Sequence, residues 1–167
     1  PLPPLARRPR VGVKTLAEGA QAVQGLQSRF ADAVRETGSF RGQHWAVIEA
    51  KQWLQVTRWL RDDESTDFNV LVDITAVHWP YRDPPLEIVA HLYSHSQNDG
   101  LRLKARVGDR GPIASLTSLW NAADWNERAA FDMFGVVFTG HPDLRRILMP
   151  EDYTDHPLRK ELPLYRG

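Results

Sequence analysis

The stretch from residue 139 to 167 follows neither the helical nor the strand period, and Pro142, Pro150, Pro157 and Pro163 interrupt it. Proline fixes φ and lacks a main-chain N–H, so such a segment cannot continue a helix or join the middle of a sheet. A stretch of this length without regular structure is uncommon in a compact domain, where it is usually functional or disordered. Its composition argues against disorder, because Ile147, Leu148, Met149, Leu158, Leu162 and Leu164 would sit in water. Its charges balance: Arg145, Arg146, Arg159, Lys160 and Arg166 stand against Asp143, Glu151, Asp152, Asp155 and Glu161. An extended tail of this kind is expected to lie on something. One sheet-and-helix layer offers limited surface, so the expected support is a partner protein.

Upstream, the pattern alternates between helix and strand. Leu16, Ala20, Val23, Leu26, Phe30 and Val34 recur at helical spacing, and Gly38 is expected to stop that helix. A strand is expected over 43–49 and a short helix over 51–61, with Trp53, Leu54, Val56 and Leu60 as its apolar side. Residues 68–79 are rich in β-branched side chains and read as a long strand with Phe68, Val70, Val72, Ile74 and Ala76 on one face. A turn at 83–85 leads to a strand over 86–95, a hairpin loop at 96–100 and a strand over 101–107. In that last strand Leu101, Leu103, Ala105 and Val107 alternate with Arg102, Lys104 and Arg106. After a turn at 108–112, a helix is expected from an N-cap at Ser115 to Phe134, closed by Gly135. The expected fold is α+β: a single mixed β-sheet with helices packed on it, followed by a long extended C-terminal tail. Three parts result: a Pro-rich arm over 1–14, the α+β domain over 15–138 and a partner-docking tail over 139–167.

Several function classes are excluded or disfavoured. Lys+Arg and Asp+Glu are both 21, a balance that argues against a general nucleic-acid binder. The chain has no cysteine, which removes disulfides, thiol catalysis and cysteine-ligated zinc or iron–sulfur sites. No apolar run approaches the roughly 20 residues that span a bilayer. The amino end lacks the apolar core of a signal peptide and carries Arg7, Arg8, Arg10 and Lys14 without an acid. It opens without Met, so a trimmed chain or a fragment is expected.

Candidate chemistry is thin. His91 and His95 are four apart in a strand-like run, roughly 13 Å along the chain, which does not suit two ligands of one ion. His141, Asp143, Asp155 and His156 could meet in a folded tail and support a stand-alone hydrolase. No G-x-S-x-G nucleophile motif accompanies them, and no phosphate-binding glycine loop is present. Structural ion pairs and turn caps are the plainer reading. Of the six tryptophans, Trp79 lies in a turn beside Arg82, as an interface anchor would.

Residues 127–164 read ERAAFDMFGVVFTGHPDLRRILMPEDYTDHPLRKELPL. The stretch resembles the signature of the 30-kDa-type subunit of proton-pumping NADH:quinone oxidoreductase, respiratory complex I. The matching positions are Glu127-Arg128, Asp132, Phe134-Gly135, Gly140-His141-Pro142, Arg145-Arg146, Ile147-Leu148, Pro150-Glu151-Asp152 and His156-Pro157-Leu158-Arg159-Lys160. The sequence departs from the pattern at Ala129, where a second Glu is usual, at Asp155, where Gly is common, and at Glu161-Leu162, which replaces a frequent Asp-Tyr.

The resemblance implies a subunit without catalytic residues or cofactors of its own, inside a holoenzyme that carries FMN, iron–sulfur clusters and quinone. It implies a peripheral place on the cytoplasmic side of the cell membrane. The implied partners are the 49-kDa-type quinone-site subunit and neighbouring iron–sulfur subunits, with the matching positions as the interface. Related ferredoxin- or F420-linked dehydrogenases and membrane-bound hydrogenases share the signature, and an adaptor with a different partner keeps the same physics. The tail then acts as a strap. Its prolines lower the entropy lost on docking, its apolar side chains contribute roughly 2 kcal/mol each when covered, and Arg145, Arg146 and Arg159 offer forked bonds to a neighbour. Charge reversal at Arg145 and Arg146 is accordingly expected to leave the isolated domain folded and to stop its incorporation into the complex.

Overall fold

The computed structural model describes residues 18–162. The expectations for the arm, for Leu16 and for Pro163, Leu164 and Arg166 fall outside them.

Helix α1 (Glu18–Arg29) buries Ala22, Val23 and Leu26. It ends well before Gly38, and the chain then forms a strand that helical spacing did not predict, β1 (Val34–Phe40). Val34 fits either periodicity, and the polar run after it has no apolar stripe to hold a helix. Gly38 is therefore a mid-strand residue and not a helix stop. It faces Trp45 across the ladder, and a Cβ there would lie 2.5 Å from the indole. The turn into β2 (Gln43–Ile48) places Arg41 and Gly42 at φ 51° and 78°, the paired positive φ of a tight hairpin.

A short 3₁₀ turn leads into α2 (Trp53–Asp62), which buries Trp53, Val56, Thr57 and Leu60. Strands β3 (Val70–His78), β4 (Leu86–Ser94) and β5 (Asp99–Val107) follow. The five strands order as β1-β2-β5-β4-β3, with β2 parallel to β5 and the other neighbours antiparallel. This is the mixed sheet expected from the sequence. The alternation in β5 holds: Leu101, Leu103, Ala105 and Val107 are buried in the core with Trp53, Phe68, Leu26 and Ile88. Strand β3 departs from its expected face. A bulge between Leu71 and Asp73 shifts the register, so Leu71 turns inward and Val72 outward.

The long helix expected from Ser115 is two pieces. Residues 115–122 form turns, and α3 (Ala123–Phe134) starts only at Ala123. Ser115 accepts the Thr117 N–H at 3.1 Å as a cap would, but the turn it opens does not continue as a helix, and its hydroxyl donates to Glu127 at 2.6 Å. Strand β6 (Pro112–Ala114) runs parallel to β7 (Val137–Thr139), and the two bracket α3. This small sheet holds α3 beside β3, with its carboxyl end facing the remainder of the chain.

Candidate docking site

The last turn of a helix leaves its carbonyls without intrahelical partners. In α3 the tail supplies them. Gly135, at φ 77°, donates its N–H to Phe131 and turns the chain in the left-handed conformation. The Asp132 carbonyl accepts from His156 Nδ1 at 3.0 Å. The Met133 carbonyl accepts the Leu158 N–H at 3.1 Å, and the Phe134 carbonyl accepts Arg159 Nε at 2.7 Å. The Arg159 cation suits this end, where the helix dipole is negative. The close seat of His156 also explains Gly135: a Cβ there would fall 2.6 Å from the imidazole.

Asp132 is the second fastening. Its side chain is fully buried. Oδ2 accepts the main-chain N–H groups of Ile147, Leu148 and Met149 at 3.0, 2.7 and 2.8 Å, and Oδ1 takes Arg146. Burial alone pushes this carboxyl up, but the three N–H donors and the guanidinium outweigh it and hold it below the ordinary carboxylate value. Arg146 also reaches the Asp155 carbonyl at 3.0 Å, so one guanidinium ties α3 to two points of the tail. Arg128 adds a third link, donating to the carbonyls of Arg145 and Arg146 at 3.2 and 3.1 Å while lying over the Trp125 ring.

The geometry sorts main chain from side chain. The strap's amides face inward to Asp132, and Leu148 projects outward, 64% exposed. Leu158 is 50% exposed, and Trp125 on the outer side of α3 is exposed as well. Pro142, Pro150, Glu151, Asp152 and Lys160 also face solvent, whereas Pro157 is half-buried.

Residues 46–166 match the family described as the respiratory-chain NADH dehydrogenase 30 Kd subunit. The chain belongs to this family. It is 43% identical over 150 residues to an NADH-quinone oxidoreductase subunit of Citrifermentans bemidjiense, covering 89% of this chain and 92% of that one. Identity to the equivalent NADH-quinone oxidoreductase subunit of Roseiflexus sp. is 41% over 148 residues, covering 88% and 85%. Solved structures share the fold, among them the following two. One is the trypsin-resistant fragment (1–134) of Nqo5, with a TM-score of 0.63 at 24% identity, covering 73% of this chain and 98% of that chain. The other is a chain of the membrane-bound sulfane sulfur reductase, an archaeal respiratory membrane complex, with a TM-score of 0.74 at 23% identity, covering 88% and 86%.

The residues that carry the 30 kDa subunit signature cluster around α3 and the tail, and several fasten the chain to itself. Arg146 and Arg159 direct their guanidinium forks to this chain's own carbonyls and acids, Asp132 and Asp109, and not to a free surface. Arg145 is different. It is 64% exposed and, among the described residues, pairs with Asp143. Glu127 is buried on Ser115 and the Leu116 N–H. The His141 ring is covered. Its Nδ1 accepts the Asp143 N–H at 3.0 Å, which leaves Nε2 protonated and donating to the Asp124 carbonyl at 3.2 Å. His141 and His156 thus each bond a main-chain carbonyl of α3 and hold turns of the tail against it. Among the described residues, no group of three or more His, Cys, Asp or Glu is placed to hold a metal ion. Nor is any helix there long and apolar enough to cross a membrane.

Sequence reasoning missed His78. It is buried at the end of β3, and its Nδ1 accepts the Lys160 N–H at 3.0 Å, joining residues 82 apart. No local pattern marks such a link. Asp124 and Asp109 were missed for the same reason.

Proposed function

We propose that this chain is a non-catalytic scaffold subunit in the hydrophilic arm of a proton-pumping NADH:quinone oxidoreductase. It docks beside the 49-kDa-type quinone-site subunit and neighbouring iron–sulfur subunits, peripheral on the cytoplasmic side of the membrane. Other subunits hold the FMN, the iron–sulfur clusters and the quinone, and electrons pass from NADH to quinone without using a residue of this chain.

The observation that carries the reading is the outward set of Leu148 and Leu158 on a strap whose main chain is pinned from inside. Polar groups usually face water and apolar ones the core; here the polar fastenings are buried and large apolar side chains are held out. Covering each leucine contributes roughly 2 kcal/mol. Pre-fastening the strap removes the ordering entropy that a free tail would lose on docking. Arg145, exposed and paired with Asp143, can exchange that partner for a carboxylate of a neighbour.

The test is an affinity pull-down of the full chain from mildly solubilised source membranes. Coelution of flavin, iron and NADH–quinone activity is expected. Iron without flavin would assign the chain to a ferredoxin-linked or hydrogenase assembly, and an eluate of this chain alone would contradict the scaffold reading.

A further inference from the structure

Glu127 stands apart from the fastenings described above. It is fully buried, no cation among the described residues acts on it, and it lies one helical turn from Asp124 on the same face of α3. Its two oxygens accept the Ser115 hydroxyl and the Leu116 N–H, both at 2.6 Å. Ser115 Oγ lies 2.8 Å from Thr117 Oγ1, and Thr117 is half-exposed. A chain of two hydroxyls therefore runs from the buried carboxyl to the surface.

We propose that Glu127 is a proton-binding site that exchanges with solvent through Ser115 and Thr117. The relay satisfies both protonation states. With the carboxylate ionised, Thr117 donates to Ser115 and Ser115 donates to Oε2. Uptake moves each proton one place along: solvent protonates Thr117 Oγ1 as its own proton passes to Ser115 and the Ser115 proton passes to Glu127, which leaves Glu127 donating to Ser115 and Ser115 donating to Thr117. In either state Ser115 keeps the Thr117 N–H at 3.1 Å on a lone pair, so one proton is taken up and no buried bond is lost.

The charged surroundings favour uptake. Asp124 from α3 is the like charge that acts on Glu127. The cations of the adjoining elements are engaged elsewhere: Arg61 of α2 donates to the Leu119 carbonyl and Arg128 to the tail carbonyls, while the His141 ring, its Nδ1 accepting an N–H, faces Asp124. The loop at 115–117 presents hydroxyls and one N–H. Burial first, opposed by the Ser115 and Leu116 bonds and aided by Asp124, raises this carboxyl to about 7. Uptake and release then fall in the neutral range, at the junction of β6, α3 and the start of the tail.

The experiment is a pH titration of the full chain, labelled with ¹³C at glutamate carboxyls, with the Glu127 resonance assigned by its loss in Glu127→Gln. A midpoint near 7 is expected. Ser115→Ala removes a donor to the ionised form and raises the midpoint by on the order of one pH unit. Thr117→Val removes the acceptor that Ser115 needs when the acid is protonated, and lowers it. Asp124→Asn removes the like charge and lowers it too. A wild-type resonance that stays ionised down to about pH 5, or protonated up to about pH 9, overturns the proposal without any variant. A midpoint near 7 that Ser115→Ala and Thr117→Val leave unmoved overturns the relay.

Discussion

Asp132 and Arg146 form a buried ion pair, 0% and 12% exposed, that joins the last turn of α3 to the strap. The pair does not stand alone. Asp132 also holds three consecutive strap amides, so its removal strands a guanidinium and three N–H groups together. Breaking one side of a buried pair typically costs about 3–5 kcal/mol. Asp132→Ala is expected to lie in that range by chemical denaturation. Hydrogen exchange at Ile147, Leu148 and Met149 should speed up in the same variant.

Arg145 and Arg146 are neighbours with opposite duties. The sequence pattern treats them as one basic pair, whose reversal should spare the domain. The geometry separates them. Arg146→Glu places a second carboxylate against Asp132 and should destabilise the chain by about 3 kcal/mol or more. Arg145→Glu should stay within about 0.5 kcal/mol of wild type, because its ion pair with Asp143 is an exposed one. Denaturation curves of the two single variants check this.

Two glycines are held by aromatic rings. Gly135→Ala combines a positive φ with a Cβ 2.6 Å from the His156 ring. A cost of about 1–3 kcal/mol is expected, together with loss of the His156 bond to Asp132. Gly38→Val, whose side chain would meet Trp45, should cost a similar amount and shift the tryptophan fluorescence.

Two of the buried carboxyls, Asp132 and Glu127, give opposite pH dependences. Asp132 has a folded value below its ordinary 3.8, so its contribution is fully present above that value and is lost as pH falls through the folded one. Glu127 has a folded value raised from 4.5 to about 7. Its contribution is fully present below 4.5 and is lost as pH rises to about 7, a change on the order of 3 kcal/mol. Glu127→Gln should flatten the stability profile over that window, as urea melts from about pH 4 to about pH 8 would show.

What the sequence disclosed follows from which interactions are local. The β4–β5 hairpin and the inward face of β5 were legible because alternation and a short loop encode them directly. Strand β1 was not, because its polar run, VRETGSF, has no apolar alternation; it is held by the ladder to β2 and by the Arg35–Glu49 ion pair. Ser115 looked like an N-cap because serine before an apolar run usually is one. Its true partner, Glu127, lies beyond the turns that replace the first half of the expected helix. The α3 and tail residues were recognisable as a signature, but their use was only half readable. Prolines and leucines showed that the tail must lie on something. That its amides lie on Asp132 of the same chain depends on where β6 and β7 set α3, and no local spacing specifies that.

The central claim is that a strap fastened from within presents Leu148 and Leu158 to a partner. The most direct measurement is incorporation of the Leu148→Asp/Leu158→Asp variant into the membrane-bound complex, quantified beside wild type after mild solubilisation. Both side chains are exposed, so the isolated variant should melt within about 1 kcal/mol of wild type. The account predicts that this folded variant no longer copurifies with flavin, iron and NADH–quinone activity. Incorporation at the wild-type level would contradict it.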